Sequence, residues 1–121
     1  MSSYKKQNFS KISQELFMAI EEKYHGNTFF ATKNRPEMSE YLNNEYRLDI
    51  GVLPDYIDIN TNKIIEFDGD YWHGKVGNVE RDRKRDEKLK SAGYKVIHIK
   101  ESEYKCDKQG TIDKCIKFLT Q

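Results

Sequence analysis

The segment from Asp55 to Gly74 constrains this chain more than any other. Asp55, Asp58, Glu66, Asp68 and Asp70 run through, or stand just beyond, a stretch whose other members (Tyr56, Ile57, Ile64, Ile65, Phe67) read as core. Carboxylates are almost never buried without a partner. Any fold this segment adopts must therefore supply one. A divalent cation accounts for several at once, and so oxygen-rich a set suits Mg²⁺ or Mn²⁺ rather than zinc.

Residues 54–59 and 63–68 read as strands, and Asn60-Thr61-Asn62 between them is turn chemistry, so the segment is expected to be a hairpin. A turn centred near Asn60 and Thr61 sets Asp55 opposite Glu66, where Cβ atoms lie about 5 Å apart. One ion can bridge two carboxylates at that distance. Glu66 and Asp68 share a face of their strand, whereas Asp58 lies on the face opposite Asp55 and is expected to close the hairpin. Asp70 is expected to be a turn carboxylate bonded to local backbone N–H groups. The competing account is a buried salt bridge from these acids to Lys63 or Lys95.

The rest of the chain frames the hairpin. Residues 1–9 are polar and expected to be a loose tail, with one domain over 10–121. Ser10 or Ser13 can cap a helix to about His25, with Ile12, Leu16, Ile20 and Tyr24 on one face and Gly26 as its stop. Asn27–Lys33 reads as a strand and Met38–Asn43 as a short helix after Pro36. A helix is expected over Val79–Ala92, ending at Gly93, then a strand over Tyr94–Ile99. A last helix over Thr111–Leu119 carries Ile112, Cys115, Ile116 and Leu119 on one stripe. This order predicts an α/β sandwich, a small mixed β-sheet flanked by helices.

Bulk properties narrow the classes. No run approaches the roughly 18 apolar residues of a membrane span, and Met1–Gln7 lacks the apolar core of a signal peptide, so a cytoplasmic protein is expected. Cys106 and Cys115 are read as free thiols, and four Cys/His zinc ligands are hard to assemble here. The net charge of +1 conceals an asymmetry: residues 1–74 carry 8 basic and 12 acidic side chains, residues 75–121 carry 13 and 8. An acidic, metal-ready half beside a basic half suits a polyanionic substrate, although two ordinary solvated faces would give the same count.

Three further features bear on chemistry. His73 can exchange a proton near neutral pH. Tyr71 and Trp72 fit equally well in a core or stacked on bases, the latter worth about 1–3 kcal/mol per base. From Asn78 the chain becomes a basic helix, in which Arg81, Arg83, Lys84, Arg85 and Lys88 are candidate phosphate contacts. Asp82, favoured by the dipole near the helix start, could hold the ring N–H of His73.

These residues together resemble the very short patch repair endonucleases of the restriction-endonuclease-like, PD-(D/E)XK superfamily. Pro54-Asp55 followed by Ile64-Ile65-Glu66-Phe67-Asp68 looks like the superfamily's metal-binding hairpin. Gly69-Asp70-Tyr71-Trp72-His73 looks like the repair family's Gly-x-aromatic-Trp-His turn, and Asn78-Val79-Glu80-Arg81-Asp82 through Glu101 like its next helix and strand. Ser13-Gln14-Glu15-Leu16 resembles the glutamate-bearing first helix. The likeness covers about residues 10 to 105.

The resemblance implies a three-layer sandwich and Mg²⁺-dependent hydrolysis of double-stranded DNA, with Mn²⁺ as a substitute. Asp55 would be the central metal ligand, joined by Glu66 or the Phe67 carbonyl. His73 would act in proton transfer, Asp82 would orient it with Asn78 nearby, and Glu15 would reach the site from the first helix. Departures are specific. Asp68 stands where the superfamily usually has lysine, and is read as a possible direct metal ligand. The repair family's structural zinc ligands are unmatched, since Gly74 and Lys75 follow His73 and Ser102 follows Glu101, so no structural zinc is expected and mismatch recognition does not carry over. The Gly-Asp-Tyr-Trp-His turn looks closer to phage-type and homing endonucleases, in a bacterial or phage-infected cell, with a homodimer or separate recognition domain as partner. Alternatives are a non-catalytic DNA-binding module, a metallophosphoesterase suggested by Gly69-Asp70-x-x-His73-Gly74, and a purely structural domain.

Overall fold

The computed structural model describes residues 11–30, 46–69 and 78–121. The N-terminal tail, the expected Met38–Asn43 helix and the Asp70–His73 turn lie outside these residues. In chain order the elements are α1 (Lys11–Glu21), β1 (Thr28–Phe30), β2 (Tyr56–Asp58), β3 (Lys63–Asp68), α2 (Asn78–Ser91), β4 (Lys95–Lys100), α3 (Glu101–Cys106) and α4 (Lys108–Thr120). The strands form one sheet in the order β1-β2-β3-β4. β2 is antiparallel to both β1 and β3, and β4 is parallel to β3 across the α2 crossover, so the sheet is mixed as expected.

Period-two alternation sorts the strand side chains into two cores. On one face Tyr56, Ile65 and Ile99 pack with Leu16, Phe17 and Ile20 of α1, Tyr104 of α3 and Ile112, Cys115 and Leu119 of α4. The rings of Phe17 and Phe30 close on Tyr56 with centroids 5.1 and 5.6 Å away. On the other face Ile57 and Ile64 pack with Leu48, Val52 and Leu89 of α2. The result is a three-layer sandwich of helices, sheet and helix. No helix among the described residues is long and apolar enough to cross a membrane. Cys106 and Cys115 are both free.

Several boundaries differ from expectation, each for a local reason. α1 ends at Glu21 rather than near His25, because Lys23 and Tyr24 both turn their N–H groups onto the Ile20 carbonyl, at 3.0 and 2.8 Å. The Tyr24 hydroxyl then reaches across to Asp58. Ser13 is no cap: it is buried inside α1. α4 starts at Lys108 rather than Thr111 because Asp107 caps it, accepting from the Gly110 N–H at 2.9 Å. α3 has no counterpart among the elements expected from sequence; it is short and buries only Tyr104.

Two details fix the hairpin and crossover. Asn62 takes φ 58° in the β2–β3 turn, a conformation asparagine tolerates, and Asp58 closes that turn by accepting from the Asn60 N–H at 2.9 Å. α2 stops in a Schellman motif: Gly93, at φ 97°, donates to Lys90 O at 3.0 Å and Tyr94 to Leu89 O at 3.0 Å.

Candidate active site

The register that pairs Tyr56 with Ile65 and Ile57 with Ile64 brings Asp55 opposite Glu66 at the open end of the hairpin. There side chains take over from the ladder. The Asp55 N–H donates to Glu66 Oε2 at 3.0 Å, and the Phe67 N–H donates to Asp55 Oδ2 at 2.8 Å. Both amides are thus satisfied by carboxylates that would otherwise be costly to desolvate. Glu66 is only 6 % exposed. Burial, and after it the Asp55 charge, hold its carboxyl far above the ordinary range, against the opposing pull of Arg85.

Arg85 is the partner that the buried acid requires. Its Nη2 lies 3.0 Å from Glu66 Oε1 and donates to the Leu53 carbonyl at 3.0 Å, pinning α2 to the chain just before Pro54-Asp55. The lysines weighed from sequence do other work. Lys63 is buried and donates to the carbonyls of Phe118, Leu119 and Gln121 at 3.0, 3.2 and 2.7 Å, at the C-terminus of α4 where a cation is favoured. Lys95 is exposed.

Asp68 has a different partner. His98 of β4, the register partner of Glu66 in the parallel pairing, turns Nδ1 to Asp68 Oδ2 at 3.1 Å and Nε2 to Asp86 Oδ2 of α2 at 2.7 Å. Acceptors on both ring nitrogens call for two N–H groups, hence an imidazolium. The Asp68 hydrogen bond, against the effect of burial, pushes His98 up to about 9.

These groups line one cleft of about 560 Å³. Asp55, Glu66 and Asp68 form its floor, with Phe67 and Gly69. Arg81, Arg83 and Arg85 of α2 form a basic wall interspersed with Asp82 and Asp86, and His98 closes one side. An acidic floor can hold a cation while a guanidinium wall attracts a phosphate. The Asp55–Glu66 pair fits a divalent ion: one member is buried, the two charges repel, and a cation would relieve both penalties. Among the described residues, no group of three or more His, Cys, Asp or Glu side chains forms a metal cluster.

The structure thus brings together Asp55, Glu66, Phe67, Asp68, Arg81, Asp82, Arg83 and Arg85. It does not bring Glu15. α1 packs on the opposite face of the sheet, where Glu15 accepts from the Tyr104 hydroxyl at 2.5 Å and pairs with Lys108 at 3.0 Å, so it is not part of the cleft lining. Arg83 lines the cleft but is engaged by Glu80 and by Glu87, the latter at 2.5 Å. Lys84 and Lys88 are exposed on α2, outside the lining. Tyr71, Trp72 and His73, and the side chain of Asn78, lie outside the described residues, as does any contact between Asp82 and His73. His98 and Asp86 were not singled out from sequence. The one available signal was that His98 alternates with Ile97 and Ile99 in β4 and so faces away from their core.

A family model, REase_MTES_1575, which describes restriction-endonuclease-like proteins, matches residues 32–119. No curated protein and no solved structure matches the chain.

Proposed function

Because this chain belongs to the restriction-endonuclease-like family REase_MTES_1575, we propose that its cleft hydrolyses phosphodiester bonds of double-stranded DNA with a divalent cation, Mg²⁺ in the first instance. The family supplies the nuclease class and the DNA substrate. The observation that carries the finer reading is the mutually repelling pair of half-buried Asp55 and buried Glu66 beneath a wall of arginines. Asp55 and Glu66 would hold the cation, with the Phe67 carbonyl and Asp68 as the further ligands to test. When bound, the ion supplies charge stabilisation at the phosphate and an acidified water.

The chain's own groups do the rest. Arg81 and Arg85 draw the phosphate over the carboxylates, and Asp82, on the same helix face of the cleft, stands ready to orient a proton-transfer group such as His73. The Trp-His turn supports a repair- or homing-type endonuclease, nicking or cutting both strands, with sequence reading left to a second copy or a separate domain.

A second reading has one observation in its favour. Arg85 already neutralises Glu66, and His98 already engages Asp68. That suits a module that binds DNA without cleaving it. Supercoiled plasmid incubated with Mg²⁺, with Mn²⁺ and with chelator separates the two. Nicked or linear product with metal, and none with chelator, is expected of the nuclease. Retarded but intact plasmid in every condition would leave the binding module.

A further inference from the structure

We propose that His98 is a positioning residue: by tying Asp68 of β3 to Asp86 of α2, it sets the place of the cleft's basic wall relative to its acidic floor. This rests on the nuclease reading for its activity readout and is independent of it for its structural one.

The reason lies in how α2 is attached. Among the helix's described side chains only Leu89 is buried, so one apolar anchor cannot fix both its rotation and its lateral position. Two polar ties add to the attachment, and they come from adjacent residues. Arg85 reaches Glu66 and Leu53 O, at the hairpin. Asp86 reaches His98, on β4, at 2.7 Å. His98 continues to Asp68 at 3.1 Å, so floor and wall are joined through one ring. The side chains of Asp68, His98 and Asp86 are 29, 32 and 24 % exposed, which leaves them at the cleft surface rather than in either core.

The ring is the component that a generic spacer cannot replace. It offers two donors on opposite edges of a rigid plane and can meet two carboxylates at once. Asp86 depends on it further, because its other oxygen, Oδ1, is buried with no hydrogen-bond partner among the described residues. Without His98 that carboxylate would remain desolvated with no counter-charge between it and the Asp68 carboxylate. α2 would be expected to lift at this end, taking Arg81 and Arg83 away from the floor. Because His98 has both nitrogens occupied by carboxylates, it has no free donor for a phosphate and is not assigned a catalytic role.

The experiment compares wild type with His98→Ala and Asp86→Asn in the full chain. Plasmid nicking with Mn²⁺ is measured as kcat and KM, and hydrogen–deuterium exchange is followed over residues 78–91. A loss of about tenfold or more in kcat is expected, the size usual for removing a partner that orients site groups, with KM raised as the arginines withdraw from the floor. α2 amides should exchange faster while α1 and α4 keep wild-type protection. Wild-type protection of α2 in both variants, or kcat falling only in proportion to the folded fraction, would overturn the assignment. Should His98→Ala fail to fold, Asp86→Asn, which keeps the side chain's size, carries both measurements. If wild type cleaves nothing, the nuclease reading fails, and the exchange measurement alone decides the role of His98.

Discussion

Asp55 and Glu66 are joined by one hydrogen bond from the backbone of the first to the carboxylate of the second, 3.0 Å long, while their side-chain charges repel. The hairpin thus holds two acids together by its main chain at a place where their charges would drive them apart. Arg85 offsets part of the repulsion. Strand geometry, not an ion pair between the acids, is what preserves the arrangement.

Asp55→Asn separates charge from shape. The amide oxygen can still accept the Phe67 N–H now received by Asp55 Oδ2 at 2.8 Å. The like-charge repulsion on Glu66 disappears, so thermal stability should hold or rise. Metal-dependent nicking should fall by about 100-fold or more, the scale of losing a principal electrostatic group in a site. Plasmid nicking beside a melting curve reads both, and cleavage at the wild-type rate would remove Asp55 from the proposed metal site.

Arg85→Ala should destabilise the fold by about 1–3 kcal/mol, below the usual cost of breaking a fully buried pair because the arginine side chain is 32 % exposed. The Glu66 carboxyl would rise further without its counter-charge, and the Leu53 carbonyl would lose its donor. If a divalent cation shares Glu66 with Arg85, millimolar Mg²⁺ should restore more stability to the variant than to wild type. Urea midpoints with Mg²⁺ and with chelator measure this; equal Mg²⁺ effects on the two proteins would count against a cation at Glu66.

Stability should decline as pH rises from weakly acidic to alkaline. Burial raises Glu66 from 4.5 to about 8, so between those values the folded protein keeps a proton that the unfolded chain has lost. The native state binds more protons there, and the slope of stability against pH is negative. The Glu66 contribution is complete below about 4.5 and gone above about 8. His98, raised from 6.5 to about 9 chiefly by Asp68, extends the decline in the same direction. Glu15 and Glu103, whose carboxyls are lowered, act oppositely but only at pH values below the ordinary carboxylate range. Urea midpoints from pH 5 to 9.5 in chelator should fall steadily, and with Mg²⁺ they should fall less toward pH 8. A rising profile in chelator would contradict the environment assigned to Glu66.

What could be read from sequence divides by distance along the chain. The hairpin register depends on a four-residue loop, residues 59–62, and on alternation, both local, so Asp55 opposite Glu66 is legible, as are the three-layer order and the stop of α2 at Gly93. The fate of Glu15 was not. Helical periodicity marks Leu16 and Ile20 as the buried side of α1 but does not say which face of the sheet they cover, and the face decides whether Glu15 meets the cleft. The Asp68–His98–Asp86 chain joins two strands and a crossover helix, so no window of sequence contains it. α3 buries a single residue, which leaves no period to detect. Lys63 is near the acids in sequence, which makes it a candidate counter-ion for them, yet it sits at the start of β3, against the end of α4.

Lys63→Met tests that separation. The lysine donates to three carbonyls at the end of α4, at 2.7 to 3.2 Å, and lies near the Phe118 ring, 5.8 Å from its centroid. Methionine keeps the length and the apolar stem but leaves those carbonyls without a donor and removes the favourable charge at the helix C-terminus. A loss of about 1–3 kcal/mol is expected from buried acceptors left unmet. Nicking per folded molecule should not change, since Lys63 does not line the cleft. Urea unfolding and a plasmid assay at a temperature where both proteins are folded give the two numbers. A loss of nicking without a loss of stability would mean that Lys63 acts on the acidic pair after all, and that the division of labour between it and Arg85 is misassigned.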